Sequence, residues 1–431
     1  MAKLAAAGIE LLPEDYELPT EEEAVADPQR VVDAVIINTC GFIKDAKVES
    51  INVILEAVAA KARGLVKNIF VFGCLSQRYK DELEAEIPEV DAFFGAFDWT
   101  SLLKAIDLTD EKSLDTSRYL TTPKHYAYLK ISEGCDRTCS YCSIPHIRGK
   151  HVSVPVELLL EEAQKLASEG VKELIVIAQD TTYYGLDLYG KRSLAVLLDS
   201  LSKIEGIEWI RLHYSYPAQF PQDVLDVMGT NPKICKYLDI PLQHASTKVL
   251  AAMRRSIDGS ATQRIIDDIR AKVPGVVLRT TMIVGHPGEG RREFEKLLSF
   301  VNKNRIERLG AFTYSEEEGT YGALHFKDSV RESTKQRRYD ELMELQSQIS
   351  LDCNKARVGM QERVIIDSFA DGVFVARSQY ESPEVDGEIL IGKESFYEKF
   401  GKEALPASII GSFAKVKIIG ANEYDLIAEF I

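Results

Sequence analysis

The sequence predicts an α/β protein: an N-terminal doubly wound domain, a central partial (β/α)6 TIM-like barrel and a C-terminal antiparallel β-barrel. Three observations carry that prediction. Buried, β-branched runs alternate with amphipathic stretches as far as residue 354, the pattern of strand–helix–strand units. The 431 residues call for two to four domains at about 100–200 residues each. Beyond residue 355 the runs become short and β-rich, and turn residues separate them.

The N-terminal domain is expected over residues 1–120. A short helix (Lys3–Gly8) precedes an acidic, proline-punctuated stretch to Glu23. Val31–Ile37 reads as a buried strand ending in Asn38-Thr39-Cys40-Gly41. Val48, Ile51, Leu55 and Val58 then give Asp45–Arg63 a helical spacing that Gly64 closes. Asn68–Phe72 is a second strand and ends at Gly73-Cys74. The polar segment Arg118–Pro123 marks the boundary.

Residues 121–354 contain six candidate strands: Tyr126–Ile131, Glu173–Ala178, Trp209–His213, Tyr237–Ile240, Val276–Ile283 and Arg308–Thr313. Helical patterns lie between them, at Glu157–Glu169, Ser193–Ile204, Gln222–Met228, Thr262–Lys272 and Arg291–Asn304. Six such units make an open or partial barrel, with functional residues on the loops after the strands. Arg331–Asn354 is a charged, amphipathic connector helix. Residues 355–431 hold nine Lys and Arg against thirteen Asp and Glu, so the third domain is acidic.

Composition narrows the function classes. Hydrophobic residues are 45% and charged residues 28%, which is globular. The formal charge of −15 opposes broad, non-specific binding to phosphate backbones. No run approaches the ~20 apolar residues of a membrane span, and the N-terminus has no signal-peptide pattern. A cytoplasmic protein without membrane association is expected. Seven cysteines, unevenly spaced, do not make a secreted disulfide framework.

Three of them, Cys135, Cys139 and Cys142, fall on one loop after the first barrel strand. Thiolates so spaced can each bind one iron of a [4Fe–4S] cube and leave the fourth iron open. A structural zinc site with His146 as fourth ligand, or a redox pair, is the alternative on spacing alone. Cys40 and Cys74 each follow a buried strand, so their thiols should meet at one rim of the N-terminal sheet. A lone buried cysteine is ordinarily a small hydrophobe; two at equivalent strand ends suit metal ligation. Gln179, Gln243 and Gly285 lie in polar or glycine-containing turns where the barrel mouth is expected.

Gly134-Cys135-Asp136-Arg137-Thr138-Cys139-Ser140-Tyr141-Cys142-Ser143-Ile144-Pro145, with Arg148-Gly149 after it, closely resembles the signature of radical S-adenosylmethionine (SAM) enzymes, and of their methylthiotransferase branch in particular. Ala178-Gln179-Asp180-Thr181-Thr182, Tyr237 to Ser246 and Thr281 to Glu289 match the same family. The resemblance covers nearly the whole chain and implies a TRAM domain at the C-terminus. It also implies SAM bound at the open iron of the cluster held by Cys135, Cys139 and Cys142. Tyr141 would then lie near the adenine, although plain core packing is an equal use for it, and Gln179, Gln243 and Gly285 would line the cofactor pocket.

In that family the N-terminal domain holds a second [4Fe–4S] cluster, to which Cys40 and Cys74 would contribute. The family's first cysteine has no counterpart here, which suggests a shortened start and a second cluster lacking its third protein ligand. Leu238 to His244 and the run Ser382-Pro383-Glu384-Val385-Asp386-Gly387 resemble the branch that modifies an aspartate in protein twelve of the small ribosomal subunit. The acidic third domain suits such a basic protein partner. An electron donor such as a flavodoxin or ferredoxin is implied, and a monomer is expected. The rival readings are a tRNA adenosine methylthiotransferase, a zinc-containing nucleic-acid-binding module, and a non-catalytic ribosome-binding scaffold.

Overall fold

The computed structural model describes Leu4 and residues 9–13, 16–106 and 120–431. Apart from Leu4, the expected helix over Lys3–Gly8 lies outside the described residues, as does the start of the segment Arg118–Pro123. The chain forms two compact units. One comprises residues 1–119, 141–149 and 315–320, and the other residues 120–140, 150–314 and 321–431.

In the smaller unit, α1 (Glu21–Ala26) starts at a Thr20–Glu23 capping box. Strands β1 (Val32–Thr39), β2 (Val66–Gly73) and β3 (Ala92–Gly95) form a parallel sheet in that order. Helices α2 (Lys44–Ala62) and α3 (Cys74–Glu86) connect them, and α4 (Trp99–Ala105) follows. Successive strand side chains point to opposite faces. Ile69 and Val71 pack with Ile54 of α2 and Leu83 of α3, whereas Phe70 and Phe72 pack with Phe94 and with Leu102 of α4. Helices therefore cover both faces, as doubly wound layering requires. The four-residue β3 was not legible as a strand, and α3 carries a non-helical residue at Tyr79 (φ −129°) that breaks its period.

The larger unit is built on six parallel strands: β4 (Tyr126–Lys130), β5 (Glu173–Ile177), β6 (Trp209–Leu212), β7 (Ile234–Asp239), β8 (Val277–Val284) and β9 (Arg308–Thr313). They neighbour one another in chain order and the sheet stays open, so the partial barrel is the observed architecture. Between them run α5 (Val156–Ser168), α6 (Leu194–Ser202), α7 (Gln222–Thr230), α8 (Gly259–Lys272) and α9 (Arg291–Asn304). Leu174, Val176, Leu198, Ile210, Leu238, Leu278 and Leu297 belong to one continuous core. The connector helix α10 (Glu332–Lys355) adds Leu342 and Ile349 to it.

Strands β10 (Gln361–Ala370), β11 (Val373–Ser378), β12 (Ile389–Gly392), β13 (Phe413–Ala421) and β14 (Leu426–Phe430) close into a barrel. Closure removes the free edges of so short a sheet. The pairing is antiparallel except between β12 and β14, which run parallel. The helix Lys393–Phe400 and the long return to β13 let β14 re-enter beside β12 in the same direction. No helix among the described residues is long and apolar enough to cross a membrane.

Candidate active site

The loop after β4 is pinched at its base by the two-residue strands Ser132–Glu133 and Val152–Ser153, which pair antiparallel. Cys135 and Cys139 are half-buried. The Arg137 backbone N–H donates to Cys135 Sγ over 3.4 Å, and the Arg255 guanidinium donates to Cys139 Sγ over 3.4 Å. Burial pushes the Cys135 thiol up to about 11, so a bare thiolate is costly there and a bound cation would relieve it. Two N–H donors aimed at sulfur are the surroundings that cluster-ligating thiolates use.

Neighbouring strand ends hold the loop in place. Arg137 Nε lies 2.8 Å from Asp180 Oδ2 just past β5. Asp180 is buried, and its other oxygen accepts from the Thr182 backbone and hydroxyl at 2.9 and 2.6 Å. Ser140 donates its N–H to the Met253 carbonyl at 3.0 Å, and its own carbonyl accepts from Gly322. His286, fully buried after β8, faces the Pro287 carbonyl through Nδ1 at 2.8 Å and Ser140 Oγ through Nε2 at 3.2 Å. A carbonyl only accepts, so Nδ1 carries the proton and Nε2 accepts from the serine. Burial lowers this imidazole to about 4, which keeps it in that neutral form.

Gln179 and Gln243 each bring an amide to this mouth. Gln179 Nε2 donates to Glu133 Oε1 at 3.1 Å. Gln243 is buried in the left-handed region (φ 72°), a costly conformation for a non-glycine residue. Its backbone pairs with Thr281 and Ile283, each at 2.8 Å. The Oε1 atoms of both glutamines are buried and have no hydrogen-bond partner among the described residues. Two orphaned acceptors just past the strand ends fit a ligand that carries N–H or O–H donors, as the SAM ammonium and ribose do. A Cβ on Gly285 would sit 2.4 Å from Lys335 Cγ, so its missing side chain makes room for the connector helix.

Tyr141, Cys142 and His146 belong to the smaller unit. Tyr141 and Cys142 are half-buried, and His146 is exposed. In the sheet of that unit, Thr39 and Gly73 are register partners, which places Cys40 and Cys74 at adjacent strand ends. A Cβ on Gly41 would lie 2.6 Å from the Cys74 carbonyl oxygen, so the two loops touch backbone to backbone. Cys40 is exposed and Cys74 buried. Arg148 Nη2 donates to Cys74 Sγ over 3.2 Å. Cys235, by contrast, is packed among Trp209, Tyr237 and Ile365; burial pushes it to about 12, as befits a structural thiol.

Among the described residues no three His, Cys, Asp or Glu side chains converge to hold a single metal ion. A cube that takes each thiolate on a different iron does not ask for such convergence. The donors on Cys135 and Cys139, together with the orphaned amides, fit the cluster and SAM.

Comparison with known proteins bears on the whole chain. Residues 129–301 match the model of the radical SAM superfamily, 358–431 that of the TRAM domain, and 16–95 that of the uncharacterized protein family UPF0004. The ribosomal protein uS12 methylthiotransferase RimO of Flavobacterium johnsoniae is 52% identical over 410 residues, 95% of this chain and 91% of the relative. Its counterpart in Bacteroides fragilis is 49% identical over all of this chain and 95% of its own length. The chain belongs to the ribosomal protein uS12 methylthiotransferase family.

Among solved structures, the radical SAM methyltransferase TsrM of Kitasatospora setae has a TM-score of 0.52 at 12% identity, covering 85% of this chain and 72% of that one; the likeness is one of fold. Several residues packed around the cysteine loop were not singled out in the sequence. Arg255 and the His286–Ser140 and Arg137–Asp180 pairs come from segments far apart in the chain, so no local spacing marks them. The same holds for His244, whose Nδ1 accepts from Ser246 N at 2.9 Å, leaving Nε2 3.3 Å from Glu289 Oε2.

Proposed function

We infer that the chain transfers a methylthio group to the β-carbon of an aspartate in ribosomal protein uS12. The observation that carries this reading is near-50% identity, along essentially its full length, to proteins of that name. Cys135, Cys139 and Cys142 would hold a [4Fe–4S] cluster, and Cys40 and Cys74 would be ligands of a second. When bound, these groups supply the electron that cleaves SAM to an adenosyl radical and the sulfur that is transferred.

The residues of the chain position and shield that chemistry. Asp180 fixes Arg137, and through it the first half of the cysteine loop. His286 and Met253 fix Ser140. The amide oxygens of Gln179 and Gln243 would accept from the SAM donors, and the family resemblance would give Tyr141 the flat apolar face for the adenine. The buried Glu289 orders the loop after β8, accepting from Gly285 N at 3.0 Å and from Arg338 at 2.7 Å. The acidic C-terminal barrel attracts a basic ribosomal protein. A flavodoxin or ferredoxin delivers the electron, and the enzyme works in the cytoplasm as a monomer.

The test is an anaerobic assay of the reconstituted protein with uS12 and, separately, tRNA. Methylthiolated uS12 is the expected product. Methylthiolated tRNA with untouched uS12 would assign the chain to the adenosine-modifying branch instead.

A further inference from the structure

Arg255 occupies an unusual place in the larger unit. Its side chain is buried, with 4% of the residue exposed. The residues on either side, Arg254 (φ 56°) and Ser256 (φ 54°), are both in the left-handed region, which non-glycine residues enter only when their surroundings hold them there. The surroundings are plain. The Tyr216 hydroxyl donates to the Arg255 carbonyl, and the guanidinium stacks 4.1 Å from the centre of the Tyr216 ring. One Nη donates to the Pro241 carbonyl, and the other to Cys139 Sγ over 3.4 Å. The preceding Met253 carbonyl takes the N–H of Ser140, the residue after Cys139. A strained, buried segment thus aims one cation at one particular sulfur. Arg137 places a second guanidinium 4.0 Å from the same ring, and its Nε lies 2.8 Å from Asp180 Oδ2.

We propose that Arg255 is a positioning residue that sets the reduction potential of the [4Fe–4S] cluster through its hydrogen bond to Cys139 Sγ. The proposal rests on the reading that Cys135, Cys139 and Cys142 hold that cluster. Reduction brings one electron from an external one-electron donor and adds one negative charge to the cluster, with no bond made or broken. A guanidinium beside a ligating sulfur, out of water, stabilises the more negative state more than the less negative one. Arg255 therefore makes the cluster easier to reduce, in a protein whose net charge of −15 works the other way.

The test uses the full chain as Cys40→Ala/Cys74→Ala, so that only one cluster is counted, and compares it with added Arg255→Met or Arg255→Lys. Each protein is reconstituted without oxygen, assayed for iron and sulfide, and titrated against solution potential by electron paramagnetic resonance in the absence of SAM. With about four irons bound, Arg255→Met should show at least a tenfold lower reduced-to-oxidised ratio at fixed potential, about 59 mV for one electron. Arg255→Lys, which keeps the charge, should recover part of that shift. Full iron with an unchanged midpoint in Arg255→Met overturns the proposal. So does loss of iron from both variants with native circular dichroism, which would make Arg255 a brace for the loop. A parent that itself takes up no iron would instead overturn the cluster reading.

Discussion

Arg377 of the small barrel donates to Glu173 of the six-stranded sheet over 2.8 Å, with both residues almost wholly removed from water. Arg211 reaches the other oxygen of the same carboxylate at 2.8 Å, and Arg377 also grips Asp367. Burial opposes ionisation of Glu173, yet the two guanidiniums outweigh it and hold the carboxyl below its ordinary value. Removing one member of such a set strands the others. Glu173→Gln and Arg377→Met should each lower unfolding free energy by about 3–5 kcal/mol, measured by denaturant unfolding. A loss below about 1 kcal/mol would mean that water reaches the pair.

Acid stability should fall in two overlapping windows. Burial lowers His213 to about 3, with Arg211 and Arg279 adding to the effect; the ring is neutral and shares a 2.8 Å hydrogen bond through Nε2 with Ser382 Oγ. The unfolded chain binds that proton first, so stability is lost as pH falls below the unfolded value near 6.5. For Glu381, burial is outweighed by Arg357 and Arg308, which hold the carboxyl at about 2. Its stabilisation is complete above the ordinary 4.5 and fades from there down to about 2. Thermal melts between pH 8 and pH 3 should show both slopes. His213→Gln should flatten the upper window, and Glu381→Gln the lower.

Asp180→Asn keeps the size of the side chain but gives up the ion pair with Arg137. Iron bound after reconstitution should drop well below that of the parent, and the melting temperature should fall as well, because Arg137 loses its buried partner. Equal iron in parent and variant would show that the loop holds its shape without this anchor.

Gln243 combines backbone strain with an orphaned amide oxygen. Gln243→Gly should relieve the strain, worth about 1–3 kcal/mol, and weaken SAM binding about 2- to 10-fold, as loss of one hydrogen bond does. Equilibrium dialysis alongside melting separates the two effects. A variant that binds SAM as tightly as the parent would remove Gln243 from the pocket.

The six barrel strands and the five helices between them were legible because each is a long apolar or amphipathic run: Arg308–Thr313 and Arg291–Asn304 have the expected ends. Strand β3 was not, since Ala92–Gly95 is four residues and its burial comes from α3 and α4. The cysteine spacing was visible because all three residues fall within eight positions. Arg255 was not: its role depends on a left-handed backbone and on a sulfur 116 residues earlier in the chain, neither of which leaves a spacing to notice. The packing of Lys335 against the Cβ side of Gly285 was equally out of reach, because the two residues are brought together only by the fold.

The most direct measurement is mass spectrometry of uS12 after a single anaerobic turnover with the iron-loaded enzyme, SAM and a reductant. One methylthio group on a single aspartate, accompanied by 5′-deoxyadenosine and abolished by Cys139→Ala, is the expected result. Unmodified uS12 and intact SAM, from protein carrying a full complement of iron, would contradict it.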